Sequence, residues 1–211
     1  MAWEADHFRL FISHVSASHV ATSQLATFLR DRYGIDGFVA HADIEPSADW
    51  QNEIEASLRT MDALLAYLTP GFAASWWCNQ EVGWALGRGS LALSVRLGED
   101  PRGFAGRFQA VPGGDGNPVG IAERVFSALA ANQATAARVG VTTSLLLRRT
   151  SSWEQIRDYI APALDRVAVF TDEALDNLLA AFNECYHVRT SHYLDGIRAR
   201  LAASGRQAPS S

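Results

Sequence analysis

ALLAYLTPGFAASWWCNQEVGWALGRG, residues 63–89, decides the fold. Residues 63–69 are apolar on both faces, the pattern of a strand in the middle of a parallel sheet. Pro70-Gly71 then turns the chain, and Ser75 offers the N-cap of a helix that Gly87 and Gly89 stop. At ~100° per residue, Trp77, Glu81 and Trp84 share one face of that helix. Cys78, Val82, Ala85 and Leu86 form an apolar stripe about a quarter-turn away. The helix is therefore expected to dock by the stripe and to carry the Glu81 carboxylate beside aromatics on its flank.

Working outward, FRLFIS (8–13) reads as a buried strand, followed by the polar turn HVSAS and a helix with Ala21, Leu25, Phe28 and Leu29 on one face. GFVAHA (37–42) is a second strand that empties into DIEPSAD (43–49), a loop with one proline and three acids. Asp49 is positioned to cap the next helix, on which Trp50, Ile54, Leu58 and Met61 line one face. Downstream, LALSVRL (91–97) is a fourth strand and FQAV (108–111) a weaker fifth. PGGDGNPVG (112–120) leads into a helix with Ile121, Val125, Phe126 and Leu129 on one face. It lacks the spacing of a dinucleotide fingerprint, so it reads as a plain loop rather than a phosphate cradle. Strands alternating with helices require crossover connections, hence an α/β fold with a doubly wound, mostly parallel five-stranded sheet. Such sheets bind ligands at the carboxyl ends of their strands, here 13–18, 43–49, 69–76 and the loop after Leu97.

Beyond residue 131 helical periodicity takes over. Trp153, Ile156, Ile160 and Leu164 make one stripe, interrupted by Pro162; Leu175, Leu178, Leu179, Phe182 and Tyr186 make a second, started by Thr171 and Asp172; Leu194, Ile197 and Leu201 make a third. VGVTTSLLLRR (139–149) fits either a strand or a helix. The organisation read from the sequence is a short tail (1–6), an α/β domain (7–131), a connector (132–150), a C-terminal helical appendage (151–204) and a disordered tail (205–211).

Composition narrows the chemistry. All 18 basic residues are arginine, which excludes a P-loop lysine, a Schiff-base lysine and a Ser-Lys dyad. The 23 acidic residues bring the net charge to -5, which argues against nucleic-acid binding. Cys78 and Cys185, the two cysteines, are far apart and belong to no CxxC pair; Cys78 reads as a buried small hydrophobe. Among the six histidines, His14 with His19 and His187 with His192 are five apart, a spacing that sends side chains to different helix faces, and no metal is expected. No apolar run reaches the ~18 residues of a membrane span and no signal peptide is recognisable, so a cytoplasmic protein with no membrane partner is expected.

Taken together, FRLFISHVS, HADIEPSADW, LLAYLTPGF and WWCNQEVGWALGRG resemble the Toll/interleukin-1 receptor (TIR) domain, over roughly residues 7–131. The resemblance is closest to stand-alone bacterial TIR proteins of anti-phage defence, of the Thoeris-like kind. It implies a flavodoxin-like fold and, in enzymatic members, cleavage of the nicotinamide–ribose bond of NAD by a glutamate four residues after a tryptophan, here Glu81 and Trp77. It further implies that Ser13, His14 and the loop carrying Asp43 and Trp50 wall the pocket, and that the 43–50 loop mediates self-association. NAD is then the substrate and no separate cofactor is required; a separate sensor or effector protein is an expected partner.

One carboxylate suffices for that chemistry. The nicotinamide of NAD is already a cationic leaving group and needs no general acid, whereas a glycosidase must protonate its leaving group with a second carboxyl. What remains is to stabilise an oxocarbenium-like ribose, with Trp77 able to stack on the departing ring. Water as acceptor yields ADP-ribose, internal attack a cyclic ADP-ribose, and another nucleophile a conjugate. Two other readings stand beside this one: a non-catalytic TIR adaptor acting by homotypic contacts, and a nucleotide-binding or deoxyribosyltransferase-like module on the same scaffold.

Overall fold

The computed structural model describes residues 3–39, 48–107 and 110–209, with residues 48–50, 104 and 107 through their backbone alone. Two compact units form, one from residues 1–31 and 35–128, the other from residues 32–34 and 129–211.

In the first unit the elements run β1 (Phe8–Ser13), α1 (His19–Tyr33), β2 (Ile35–Val39), α2 (Ala48–Thr60), β3 (Ala63–Leu68), α3 (Trp76–Gly87), β4 (Leu91–Arg96) and β5 (Val111–Pro112), and α4 (Pro118–Ala131) follows. The five strands are parallel, in the order β2-β1-β3-β4-β5, the doubly wound arrangement that alternation of strand and helix requires. All six residues of β3 are buried, as its apolar run on both faces demands. Between the sheet and helices α2 and α3 lies a core that includes Phe11, Leu64, Ala66 and Leu68 from the strands, and Ile54, Leu58, Cys78 and Ala85 from the helices.

Several boundaries differ from the sequence reading. β2 begins at Ile35, where it pairs with Phe8, rather than at 37. α2 begins at Ala48, so Asp49 lies in its first turn and not at its cap. A 3-10 turn (Phe72–Ala74) separates Pro70-Gly71 from α3. The fifth strand is shorter, Val111–Pro112; Phe108 and Gln109 lie outside the described residues, as do residues 40–47 with Asp43.

One close approach ties α1 to the sheet. A Cβ on Gly37, the register partner of Leu10 in β2, would stand 2.9 Å from Ala26 Cβ and 3.0 Å from Ile12 Cδ1. Gly37→Ala is therefore expected to destabilise the unit by about 1–3 kcal/mol, the usual cost of overpacking, read as a lower midpoint in urea unfolding. An unchanged midpoint would mean that α1 can move off the sheet at little cost.

The second unit is helical: α5 (Ala136–Arg149), α6 (Trp153–Gln155), a π turn (Ile156–Ile160), α7 (Ala161–Arg166), α8 (Asp172–Glu184), α9 (Tyr186–Arg189) and α10 (Asp195–Ala203). The stretch 139–149, open between strand and helix in the sequence, is the buried helix α5, and its apolar residues pack on α8. The π turn absorbs Pro162: a proline has no N–H to donate and its ring displaces a carbonyl one turn back, and an i→i−5 bond from Ala161 to Ile156 bridges the defect. Leu147, Ile156, Leu164, Leu178, Phe182 and Leu201 are among the residues of its core. Trp153 and Tyr186, expected on the buried stripes, are instead about half exposed, at 50% and 58%; Tyr186 falls beyond the end of α8, where the stripe no longer applies. In the C-terminal segment Arg206 bonds Asp172 and Asp176, Ala208 packs on the core, and the Pro209 carbonyl accepts from Arg198.

Candidate active site on helix α3

Ser13 closes β1 and shares the parity of Phe11, so its side chain faces the layer of α2 and α3. Helix α3 crosses that layer over β1, β3 and β4. Its start is set by Ser75, whose hydroxyl accepts from the Cys78 N–H at 3.3 Å. Its end is set by Gly89 in the left-handed region (φ 75°), with the Gly89 N–H donating to Leu86 and the Ser90 N–H to Ala85. Between these stops the buried residues are Cys78, Glu81 and Ala85.

Glu81 therefore lies on the docked face, and not on the flank as the sequence reading placed it. It is 6% exposed, and its carboxylate accepts a 2.5 Å hydrogen bond from the Ser13 hydroxyl. Burial pushes its pKa up to about 7, against a smaller downward pull from that bond. Cys78, also buried, has its thiol pushed up chiefly by desolvation, with the nearby Glu81 charge adding to it.

A cavity of about 250 Å³ opens between α2 and α3. Ile54 and Leu58 supply apolar lining, Trp77 and Trp84 are its aromatic walls, and Glu81 contributes the carboxylate. Gln51, Glu55 and Gln80 complete it. A buried acid of raised pKa in a cleft with aromatic walls is not a solvated helix residue, and it makes Glu81 the candidate functional group of this cavity.

A family model described as TIR domain matches residues 10–116. The chain belongs to the TIR-domain family. Its fold is also similar to the crystal structure of the TIR domain of a Toll-related receptor from the lower metazoan Hydra magnipapillata, at 17% identity and a TM-score of 0.44, over 56% of this chain and 94% of that one. No curated protein matches the sequence at a significant level. A TIR fold is compatible with both NAD cleavage and a non-catalytic role in assembly.

The TIR domain brings together Glu81, Trp77 and Ser13, but not all of the residues singled out in the sequence. His14 does not line the cavity: its Nδ1 donates to the Ile12 carbonyl at 3.1 Å and its ring stacks on His19, centroids 5.8 Å apart. These two histidines, which helical spacing would send to different faces, meet because His14 lies ahead of the helix. Burial and the neighbouring His19 hold His14 below the ordinary imidazole range. Asp43 lies outside the described residues, and Trp50 is described in its backbone only, within α2. Gln51 and Glu55 were missed by sequence reasoning. Their i, i+4 spacing matches the cavity-lining face of α2, but nothing in the sequence shows that α2 runs beside α3.

In the glycine-rich loop Gly113 donates to the Arg96 carbonyl of β4, and Gly116 donates to Gly113, Asn117 to Asp115 and Val119 to Asn117 within the loop. Among the described residues, no group of three or more His, Cys, Asp or Glu could hold a metal ion, and no helix is long and apolar enough to cross a membrane.

Proposed function

We propose that this TIR domain cleaves the nicotinamide–ribose bond of NAD, with Glu81 as the catalytic carboxylate. The observation that carries the reading is the buried Glu81, bonded to Ser13 and opening into a cavity walled by Trp77 and Trp84. In its ionised form Glu81 stabilises the positive charge that develops on the ribose as the C1′–N1 bond lengthens. Both electrons of that bond go to the ring nitrogen, and nicotinamide leaves neutral without an acid. Water then adds to C1′ and loses a proton to give ADP-ribose, unless an internal or external nucleophile intercepts the ribosyl cation first. Trp77, 44% exposed on the cavity wall, offers the ring a stacking surface. His14, Asp43 and Trp50 remain candidates for holding the rest of the dinucleotide. In this reading the protein is a bacterial immune enzyme of anti-phage defence, assembled through the 43–50 loop and coupled to a separate sensor or effector.

The second reading, a non-catalytic adaptor acting by homotypic TIR–TIR assembly, is favoured by the aromatic surface of α3. Trp76 is 82% exposed, a large apolar group of the kind found at contact surfaces. Family membership supports this reading better than it supports an enzyme.

The deciding experiment incubates the purified protein with NAD, dilute and at concentrations where it assembles, and follows nicotinamide by chromatography. Release that disappears in Glu81→Gln supports cleavage. Assembly without release, identical in both proteins, leaves the adaptor.

A further inference from the structure

Trp153 and Tyr186, which the sequence places on buried stripes, turn outward on the helical unit and meet there. Their ring centroids are 6.1 Å apart, and the His187 ring packs edge-on against both, at 4.6 Å from Trp153 and 6.0 Å from Tyr186. Other residues anchor the elements that carry these rings: Ile156, Val188 and Leu194 are buried in the helical core. Trp153 stands on α6 and Tyr186 on α9, and a 3-10 turn (His192–Leu194) adds Tyr193, 45% exposed and packed on His192. Arg157 lies within electrostatic reach of both Glu154 and Tyr193, so the turn continues the surface begun on α6. Exposed rings braced by a third ring are preorganised and lose little entropy on contact. Trp, Tyr and Arg are also the residues in which interface hot spots are richest.

The charges on these elements cancel. Glu154 and Asp158 are offset by Arg157 and Arg189, and Arg157 bonds Asp158 through both Nε and Nη2, at 2.6 and 2.8 Å. A nucleic acid or a strongly charged peptide therefore finds no opposite field here. A second copy of the chain does find its complement. Across a two-fold axis residue i meets j while j meets i, so a surface carrying both signs in equal number can set each against its opposite. At an overall charge of -5 two copies repel at long range, and a locally neutral aromatic patch is where they meet at least cost.

We propose that the aromatic patch of Trp153, Tyr186 and Tyr193 on the helical unit is an isologous interface through which two copies of the chain dimerise. It uses residues other than the 43–50 loop, and it holds whether or not the α/β unit cleaves NAD.

The test is sedimentation velocity on the full chain from about 1 to 100 µM, a range that spans interfaces of ordinary strength. The wild type is expected to pass from monomer to dimer. Trp153→Ala combined with Tyr186→Ala should raise the midpoint by about thirtyfold or more, the effect of removing a hot-spot side chain. Both rings are about half exposed, so the variant folds, and circular dichroism checks it. Two charge variants test self-complementarity without touching an aromatic. Arg157→Glu and Glu154→Arg, each alone, are expected to weaken the dimer, and an equimolar mixture of the two to restore it; a fault in folding would not be mended by mixing. A wild type that stays monomeric over the whole range overturns the interface, and so does self-association that the aromatic double variant leaves unchanged. A mixture that fails to recover overturns the two-fold arrangement. Nicotinamide release from NAD, whatever its outcome, bears on the α/β unit alone.

Discussion

If the domain cleaves NAD as proposed, Glu81→Gln is expected to slow nicotinamide release by about 10²–10³-fold and, at the same time, to make the first unit more stable at pH 8. The two effects have one cause. Burial raises the Glu81 carboxyl from 4.5 to about 7 in the folded chain. Between those values the folded state binds a proton that the unfolded state has released, so stability falls as pH rises from about 4.5 to 7, and the full loss persists above 7. A gap of that size corresponds to roughly 3 kcal/mol. Glutamine keeps the shape and an acceptor for the Ser13 hydroxyl but carries no charge, so the loss is relieved. For a chain of this length the melting temperature changes by about 2–4 °C per kcal/mol. Calorimetry should therefore show the variant melting several degrees higher at pH 8, with the difference vanishing near pH 4.5. Removing a preorganised charge from a transition state costs about 10²–10³ in rate, which sets the expected loss of nicotinamide release. A variant that melts lower at pH 8 would mean that the buried charge is compensated in the native state. Undiminished release would remove Glu81 from the chemistry.

Ser13→Ala should change the pH dependence of the reaction rather than its rate at every pH. If the domain cleaves NAD as proposed, kcat/KM is expected to rise about tenfold per pH unit below 7 and to level off above it, because the reaction then needs the ionised Glu81 carboxylate, whose pKa burial raises to about 7. The Ser13 hydroxyl bonds the carboxylate and favours its ionised form. Without that bond the inflection moves to higher pH. A hydrogen bond to a charged group contributes about 1.5–3 kcal/mol, so kcat/KM at pH 7 should fall by about tenfold or more and recover in part by pH 9. Ser13 is 1% exposed, too deep to touch a substrate directly, and it acts through Glu81 as a positioning residue. A loss of equal size at every pH would contradict this and return Ser13 to a direct binding role, as the family resemblance implied.

The architecture was legible because it rests on short-range pattern. The β3 run is apolar on both faces, β1 is bounded by a polar turn, and the stops at Ser75, Gly87 and Gly89 lie next to the helix they end. Errors collected where one element's limits depend on another's. Ile35 joins β2 because Phe8 pairs with it. The helix α5 was ambiguous because a short apolar run with β-branched residues has no distinctive period until its packing partner, α8, is in place.

For the site, sequence alone determined the helix that carries Glu81 and the aromatics one turn either side of it, because helical spacing is a local property. Only the tertiary structure decided that Glu81 is buried, that Ser13 donates to it, and that Gln51 and Glu55 face it across a cavity. Ser13 and Glu81 are 68 positions apart, and a carboxylate's protonation depends on how much water its neighbours exclude. Which neighbours those are is set by the crossovers that lay α2 and α3 side by side on one face of the sheet, and no spacing within either helix encodes them.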